Sequence, residues 1–196
     1  MANEWIRSFV AVDLNNDHIL DNILKIQQTL SRTGADIKPV ERENIHITLR
    51  FLGEVKQERV QEIIEQMKQA QFERFTVDFR GLGVFPGLHR PTVIWIGIEK
   101  GAKELSRIFE TLEQGLRALS IRPDSKGFTP HLTIARVKSG RNRAELVRTI
   151  SELQDMEFGS MNVDSVKLKK STLTPKGPIY TDLYELSTQS ASNEAT

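Results

Sequence analysis

A chain of 196 residues, 38% hydrophobic and 27% charged, is long enough to bury a real core and has the composition of a soluble globular protein. Twenty-seven basic side chains against 26 acidic ones leave a net charge of +1, so any nucleic-acid surface must be local rather than global. The lack of cysteine excludes disulfides, thiolate metal sites and a cysteine nucleophile, and it suits a reducing cytoplasm. No basic-then-apolar leader opens the chain, and no apolar run approaches the roughly 18 residues of a membrane span.

Trp5 to Leu14 reads as a buried strand. Asn15-Asn16-Asp17 then offers helix N-cap chemistry, and Ile19, Ile23, Ile26 and Leu30 line one helical face that Gly34 ends. Ile37 to Val40 is a short connector, restricted by Pro39 to an edge or turn. Glu43 to Gly53 follows as a strand with period two. Ile45, Ile47 and Leu49 share one side, and His46, Thr48 and Arg50 the other. A helix is expected from about Lys56 to Ala70, then a strand from Phe72 to Phe79. The glycines and prolines from Gly81 to Pro91 predict an irregular boundary between two halves.

The second half repeats this order. Thr92 to Ile98 is a strand, Leu105 to Leu119 a helix, and Ile121 to Thr129 a loop. Pro130 to Arg136 repeats the His-aliphatic-Thr-aliphatic pattern, with His131 and Thr133 opposite Leu132 and Ile134. Asn142 and Glu145 resemble a capping box opening a further helix. Phe158 to Lys169 reads as one strand, Thr174 to Pro178 as a turn, and Ile179 to Ser187 as the last strand. Residues 188–196 form a small, polar tail, expected to be disordered. Each half thus reads β-α-β-α-β. The expected architecture is α+β: two pseudo-symmetric lobes, each a largely antiparallel sheet with helices outside, enclosing a central cleft. Residues 1–187 would form one bilobal catalytic domain with the two motif strands facing each other.

Two of the four histidines therefore lie 85 residues apart in the same short pattern. One His-x-Thr carries little information, since a strand histidine is most often structural. Two copies at equivalent places carry much more. Imidazoles on either side of one reacting atom can act as general base and general acid. That suits in-line displacement at phosphorus, with Thr48 and Thr133 donating to the non-bridging oxygens. Arg136 adds a cation but has the wrong parity in a regular strand, so it joins the site only if the strand ends or bulges there. Arg50 has the right parity and reads as solvated. A metal site is disfavoured because neither motif carries Asp or Glu on the histidine face. His18 and His89 read as surface residues. Lys167, Lys169 and Ser171 on one strand face, with Arg141, Arg143 and Arg148, are candidate RNA contacts, each equally readable as a solvated charge. Phe9 and Trp95, 37 and 36 residues before the two histidines, read as core aromatics or base-stacking platforms.

His46-Ile47-Thr48-Leu49 and His131-Leu132-Thr133-Ile134 resemble the paired signatures of the two-histidine phosphoesterase superfamily, and within it the RNA 2′,3′-cyclic phosphodiesterases, also called 2′-5′ RNA ligases. The likeness also takes in Arg7 to Leu14, Gly81 to Pro86 and Leu168 to Tyr180. It implies a bilobal fold with a positively lined cleft and neither metal nor cofactor. It implies hydrolysis of a terminal ribose 2′,3′-cyclic phosphate on RNA to a 2′-phosphate, with His46 as proton donor, His131 as acceptor, and Arg136 beside the phosphate. Reverse 2′-5′ ligation would use the same residues with roles exchanged. The symmetry of the motifs does not by itself say which histidine is acid. RNA with cyclic phosphate ends, tRNA fragments among them, is the implied partner of a cytoplasmic monomer with no membrane association. The competing readings are a phosphodiesterase for a small cyclic nucleotide such as ADP-ribose cyclic phosphate, and a non-catalytic RNA-end binder.

Overall fold

The computed structural model describes residues 4–124, 127–175 and 177–188; the expected tail from 189 onward lies outside them. Among the described residues the elements run β1 (Trp5–Asp13), α1 (Asp17–Arg32), β2 (Ile37–Pro39), β3 (His46–Lys56), α2 (Val60–Met67), β4 (Phe75–Phe85), β5 (Val93–Ile98), α3 (Ala102–Ala118), β6 (His131–Val137), α4 (Arg143–Glu152), β7 (Glu157–Val163), β8 (Ser165–Thr174) and β9 (Gly177–Ser187). All strand pairs are antiparallel, in one strongly curled sheet of order β7-β4-β5-β6-β3-β1-β8-β9, with β2 added beside β6.

The two lobes are the halves of this order, β3-β1-β8-β9 and β6-β5-β4-β7, and they meet where β3 pairs β6. They exchange elements. β4, from the first half of the sequence, lies in the second lobe, and β8 and β9 return to the first. The helices cross as well: α1 follows β1 yet packs on β6 and β7, whereas α3 follows β5 yet packs on β3. Each helix buries the stripe its periodicity marks, Ile19, Ile23, Ile26 and Leu30 on α1 and Leu105, Ile108, Leu112 and Leu116 on α3. Ile47, Ile96, Leu132 and Leu168, all at 0% exposure, line the opposing sheet face. The core is thus one layer between sheet and helices, leaving the other sheet face for His46, Thr48, His131 and Thr133.

Four local expectations are corrected. The strand β4 runs on through Gly81 and Gly83 to Phe85, because these glycines serve close approach rather than a boundary: a Cβ on Gly83 would lie 2.2 Å from the Trp95 indole. Gly53 does not close β3, which continues to Lys56, since its φ of +72° is absorbed beside a register shift. Phe158 to Lys169 is two strands. Val163 and Val166 are both buried, three residues apart, so the alternation breaks at Asp164 and the chain passes from one lobe to the other. Asn142 precedes α4 with φ +48° and no side-chain cap; its amide donates instead to the Thr33 carbonyl at 3.2 Å. Asn16 does cap α1, accepting from the Ile19 N–H at 3.1 Å.

Candidate active site

The motif strands are neighbours in the curled sheet rather than facing each other from opposite lobes. They lie side by side at the seam, antiparallel, with Ile47 paired to Leu132. Continuing that register sets His46 beside Thr133 and Thr48 beside His131. All four are half-buried on the face away from the helices. One backbone pairing therefore gathers two imidazoles and two hydroxyls from positions 85 residues apart.

One residue beyond each threonine the strand bulges. In β3, Ala11 pairs Thr48 and Val10 pairs Arg50, leaving Leu49 as the extra residue. In β6, Trp95 pairs Thr133 and Ile94 pairs Ala135, leaving Ile134 extra. An extra residue reverses the parity of all that follow. Arg136 is thereby turned onto the face of His131 and Thr133, where it is exposed and lies across from Val93 and Lys38. The bulge is held from behind by the buried Gln27 of α1, whose amide donates to the carbonyls of Ile134 and Val40 at 2.8 Å each. The same inversion removes Arg50 from the site. It is 4% exposed and turned toward the helices, with Nε on Glu113 of α3 at 2.6 Å and further hydrogen bonds to the carbonyls of Phe51 and Arg122. The solvated reading of Arg50 is therefore overturned, and Phe51 takes its place on the histidine face.

Both imidazoles are anchored alike. The carbonyls two residues earlier, of Asn44 and Thr129, each lie 2.7 Å from a histidine Nδ1. A carbonyl only accepts, so Nδ1 carries the proton and Nε2 is left for chemistry. Nε2 of His46 lies 2.9 Å from the Thr48 hydroxyl. Each ring also has two aromatic neighbours. Phe9 and Tyr180 lie 5.0 and 5.3 Å from His46, and Phe85 and Trp95 lie 5.1 and 6.3 Å from His131. Phe9 is 2% exposed and so is no stacking platform. Burial pushes the His46 imidazole below its ordinary 6.5, and the charges of Lys169 and His131 act in the same direction. The Asn44 carbonyl and the Asp13 carboxylate only partly offset this.

The other sequence candidates fall into place by partner. Lys167 and Lys169 share the histidine face, but both are ion-paired to Asp13 and Asp182, Lys169 at 2.8 and 2.6 Å, so their charge is compensated. Arg148 pairs with Glu145 on α4, in the outer helical layer, and Arg141 is tied to the Gly34 carbonyl. His18 and His89 are exposed, as the sequence reading has them. One site residue escaped the sequence reading. Tyr180 of β9 stands edge-on to His46; burial raises its phenol, and the charges of Arg136 and Arg7 act against that rise. Among the described residues no three His, Cys, Asp or Glu side chains gather to hold a metal ion, and no helix is long and apolar enough to cross a membrane.

Comparison with known proteins shows the family and the fold. The LigT like phosphoesterase family model matches twice, over residues 12–95 and 96–180, one match per motif. A protein of Aeropyrum pernix named RNA 2′,3′-cyclic phosphodiesterase is 43% identical over 173 residues, covering 88% of this chain and 98% of its own. One of the same name from Methanothermobacter thermautotrophicus is 41% identical, covering 91% and 96%. A crystal structure from Thermus thermophilus superposes with a TM-score of 0.78 at 31% identity, over 95% of this chain and 100% of that one. The Escherichia coli LigT structure in complex with 3′-AMP has the same fold, with a TM-score of 0.79 at 22% identity, over 95% and 100%.

Proposed function

We propose that this chain, which belongs to the LigT like phosphoesterase family, hydrolyses the terminal ribose 2′,3′-cyclic phosphate of RNA to a 2′-phosphomonoester. The observation that carries the reading is the antiparallel seam that sets two Nδ1-anchored histidines beside two threonines on one face. The names of the Aeropyrum and Methanothermobacter relatives supply the substrate class.

In the mechanism His131 accepts a proton from water at Nε2 as the water oxygen attacks phosphorus. The P–O3′ bond breaks, and His46 gives its Nε2 proton to the departing 3′ oxygen, leaving a 3′ hydroxyl and a 2′-phosphate. Thr48 and Thr133 donate to the non-bridging oxygens, and Arg136 neutralises their growing charge. His46 is held neutral by burial in the free protein, so it can donate only once the arriving phosphate anion favours its imidazolium. The imidazole of His46, followed by NMR, is therefore expected to titrate below 6.5 in the free protein and higher with a 2′-phosphorylated nucleotide bound. A midpoint that does not rise would overturn the donor assignment in favour of the reverse one, with His46 as base. The pH dependence of kcat/KM is expected to be bell-shaped, since one imidazole must be neutral and the other charged; a flat profile between about pH 5 and 8 would count against the pair.

Residues 1–187 act as one bilobal catalytic unit, because each lobe supplies one histidine. RNA with a cyclic phosphate end is the partner, with tRNA fragments as a source, and the protein works as a cytoplasmic monomer. The test is a short RNA ending in 2′,3′-cyclic phosphate, incubated in EDTA, with 2′- and 3′-phosphate products resolved. A 2′-phosphate product at an undiminished rate is expected, because the proton transfers and charge stabilisation come from side chains. Strong inhibition by EDTA would replace the two-histidine mechanism with a metal-assisted one. Turnover of ADP-ribose cyclic phosphate but not RNA would make the substrate a small cyclic nucleotide. Tight RNA binding without turnover of either would leave an RNA-end binder.

A further inference from the structure

We infer that Asp13 is a positioning residue that makes His46 the acid of the pair: its carboxylate, clamped by Lys167 and Lys169, stands directly across the strand pair from His46 and favours the proton-bearing form of that imidazole, whereas a glycine stands across from His131. The inference rests on the RNA phosphodiesterase reading and deepens it by naming what divides two otherwise equivalent histidines.

The first observation is a break in the pseudo-symmetry. Each histidine opens its strand, and each has one residue directly opposite on the next strand of its lobe: Asp13 of β1 for His46, and Gly97 of β5 for His131. Directly opposite residues of an antiparallel pair send their side chains to the same face, with Cβ atoms about 4.5–5.5 Å apart. The first lobe therefore sets a carboxylate beside its imidazole. The second has no room for one, because a Cβ at Gly97 would lie 2.7 Å from the Arg80 carbonyl oxygen. The threonine and the bulge that follow are alike in both lobes, so this is a difference in charge at the histidines themselves.

The second observation is how Asp13 is held. Lys169 lies 2.8 Å from Asp13 and 2.6 Å from Asp182, and Lys167 lies 3.1 and 2.9 Å from the same two carboxylates, with Glu185 at 3.9 Å. Lys169 is 7% exposed. A buried cluster of this kind adds little stability over apolar packing of the same volume, so stability does not account for it. What it does is fix the Asp13 carboxylate beside His46 and offset its charge toward an arriving phosphate. The charged and titratable groups on the elements packed against His46 are Asp13 on β1, His131 on β6, Lys167 and Lys169 on β8, and Tyr180 and Asp182 on β9. Among the charges that act on His46, Asp13 favours the imidazolium more strongly than Lys169 or His131 opposes it. Burial drives His46 toward its neutral form, and Asp13 works against burial, leaving the phosphate to complete the protonation.

The test follows the His46 imidazole by NMR in the free protein, and kcat/KM across pH on an RNA ending in 2′,3′-cyclic phosphate, in wild type, Asp13→Asn, Asp182→Asn and Lys169→Gln. Asp13→Asn keeps the shape and an acceptor for the lysines but removes the charge. Its His46 midpoint is expected to fall. Its kcat/KM is expected to drop about 5- to 10-fold at about pH 8 and to converge on wild type toward acid, where the imidazole is charged in both. Lys169→Gln should move the midpoint the other way. Asp182→Asn takes a carboxylate from the same two lysines and should leave the midpoint in place, which separates a charge opposite His46 from a general loosening of the cluster. An unchanged midpoint in Asp13→Asn, or equal falls in Asp13→Asn and Asp182→Asn, would overturn the inference. So would a gain in activity at acid pH in Asp13→Asn, because a more weakly basic His46 helps there only if it is the base. If wild type left the RNA intact, the proposed reaction would fail. The titrations would still decide whether Asp13 governs His46: a fall in Asp13→Asn alone would support it, and an unchanged midpoint would overturn it.

Discussion

Replacing either His46 or His131 with alanine is expected to lower turnover of a 2′,3′-cyclic phosphate by about 10²- to 10⁴-fold, some 3–5 kcal/mol of barrier, without loss of the fold. Each histidine contributes one proton transfer, and the two transfers belong to one displacement. The double variant is therefore expected to lose little more than the worse single one. A near-additive double loss, or a single variant with near-normal activity, would show that the two imidazoles do not act on the same event. The fold should survive because both rings sit on the face away from the core, where Ile47 and Leu132 rather than the histidines fill the interior. A second readout separates His46 from a merely structural residue. Its folded-state pKa is depressed, so the unfolded chain binds the proton more readily than the native one. Wild-type stability should therefore fall as pH is lowered from about 6.5 through the depressed value. The His46→Ala variant should lack that part of the slope in denaturant titrations across the same range. An unchanged slope would mean that the imidazole is not held neutral by its surroundings.

Much of this arrangement is legible in the sequence, because strands with one buried face obey period two. The two motif strands, their core-facing Ile47, Leu49, Leu132 and Ile134, and the four polar residues opposite follow from alternation alone. The repeated element order points to two lobes. What alternation cannot show is an extra residue. Nothing in Thr48-Leu49-Arg50 or Thr133-Ile134-Ala135 announces a bulge. Parity therefore assigns Arg50 to the site and Arg136 to the core side, and the bulges exchange them. A signal was available in the comparison of the copies: if the equivalents Phe51 and Arg136 both belong outward, the intervening Arg50 and Ala135 must both turn in. The exchange of β4 and β8 between lobes is likewise invisible, since it depends on pairings between strands far apart in the chain. Tyr180 was hidden for the same reason. It lies at the start of the last strand and reaches His46 only because β9 curls back over the turn at residues 42–44, where the Asn44 amide donates to the Pro178 carbonyl.

The inverted Arg50 leads to the largest expected effect on stability. Arg50 and Glu113 are 4% and 6% exposed, and their 2.6 Å ion pair joins β3 to α3 beneath the first motif. Burial alone would push the Glu113 carboxyl up. The hydrogen bonds from Arg50, Arg117 and the Asp124 N–H outweigh it and hold the group below its ordinary value. Removing one partner leaves a buried charge without compensation, so Glu113→Ala is expected to cost about 3–5 kcal/mol in urea unfolding, and Arg50→Ala a similar amount. The double replacement Arg50→Met with Glu113→Leu removes both charges at once and is expected to recover most of that loss, because a buried pair compares poorly with apolar packing of similar volume. The sign of the pH dependence follows from the depressed carboxyl. Its contribution is fully present above the unfolded value of about 4.5 and is lost as pH falls through the lower folded value, so wild type and the double replacement should converge in relative stability toward acid. If Glu113→Ala cost less than about 1 kcal/mol, the pair would be behaving as a solvated surface bridge. The bulge at Leu49 would then have to be held by backbone pairing alone. Because that bulge lies directly after Thr48 on the motif strand, Glu113→Ala should also lower kcat/KM in the surviving folded fraction, a loss that the double replacement restores only if apolar packing holds the same bend.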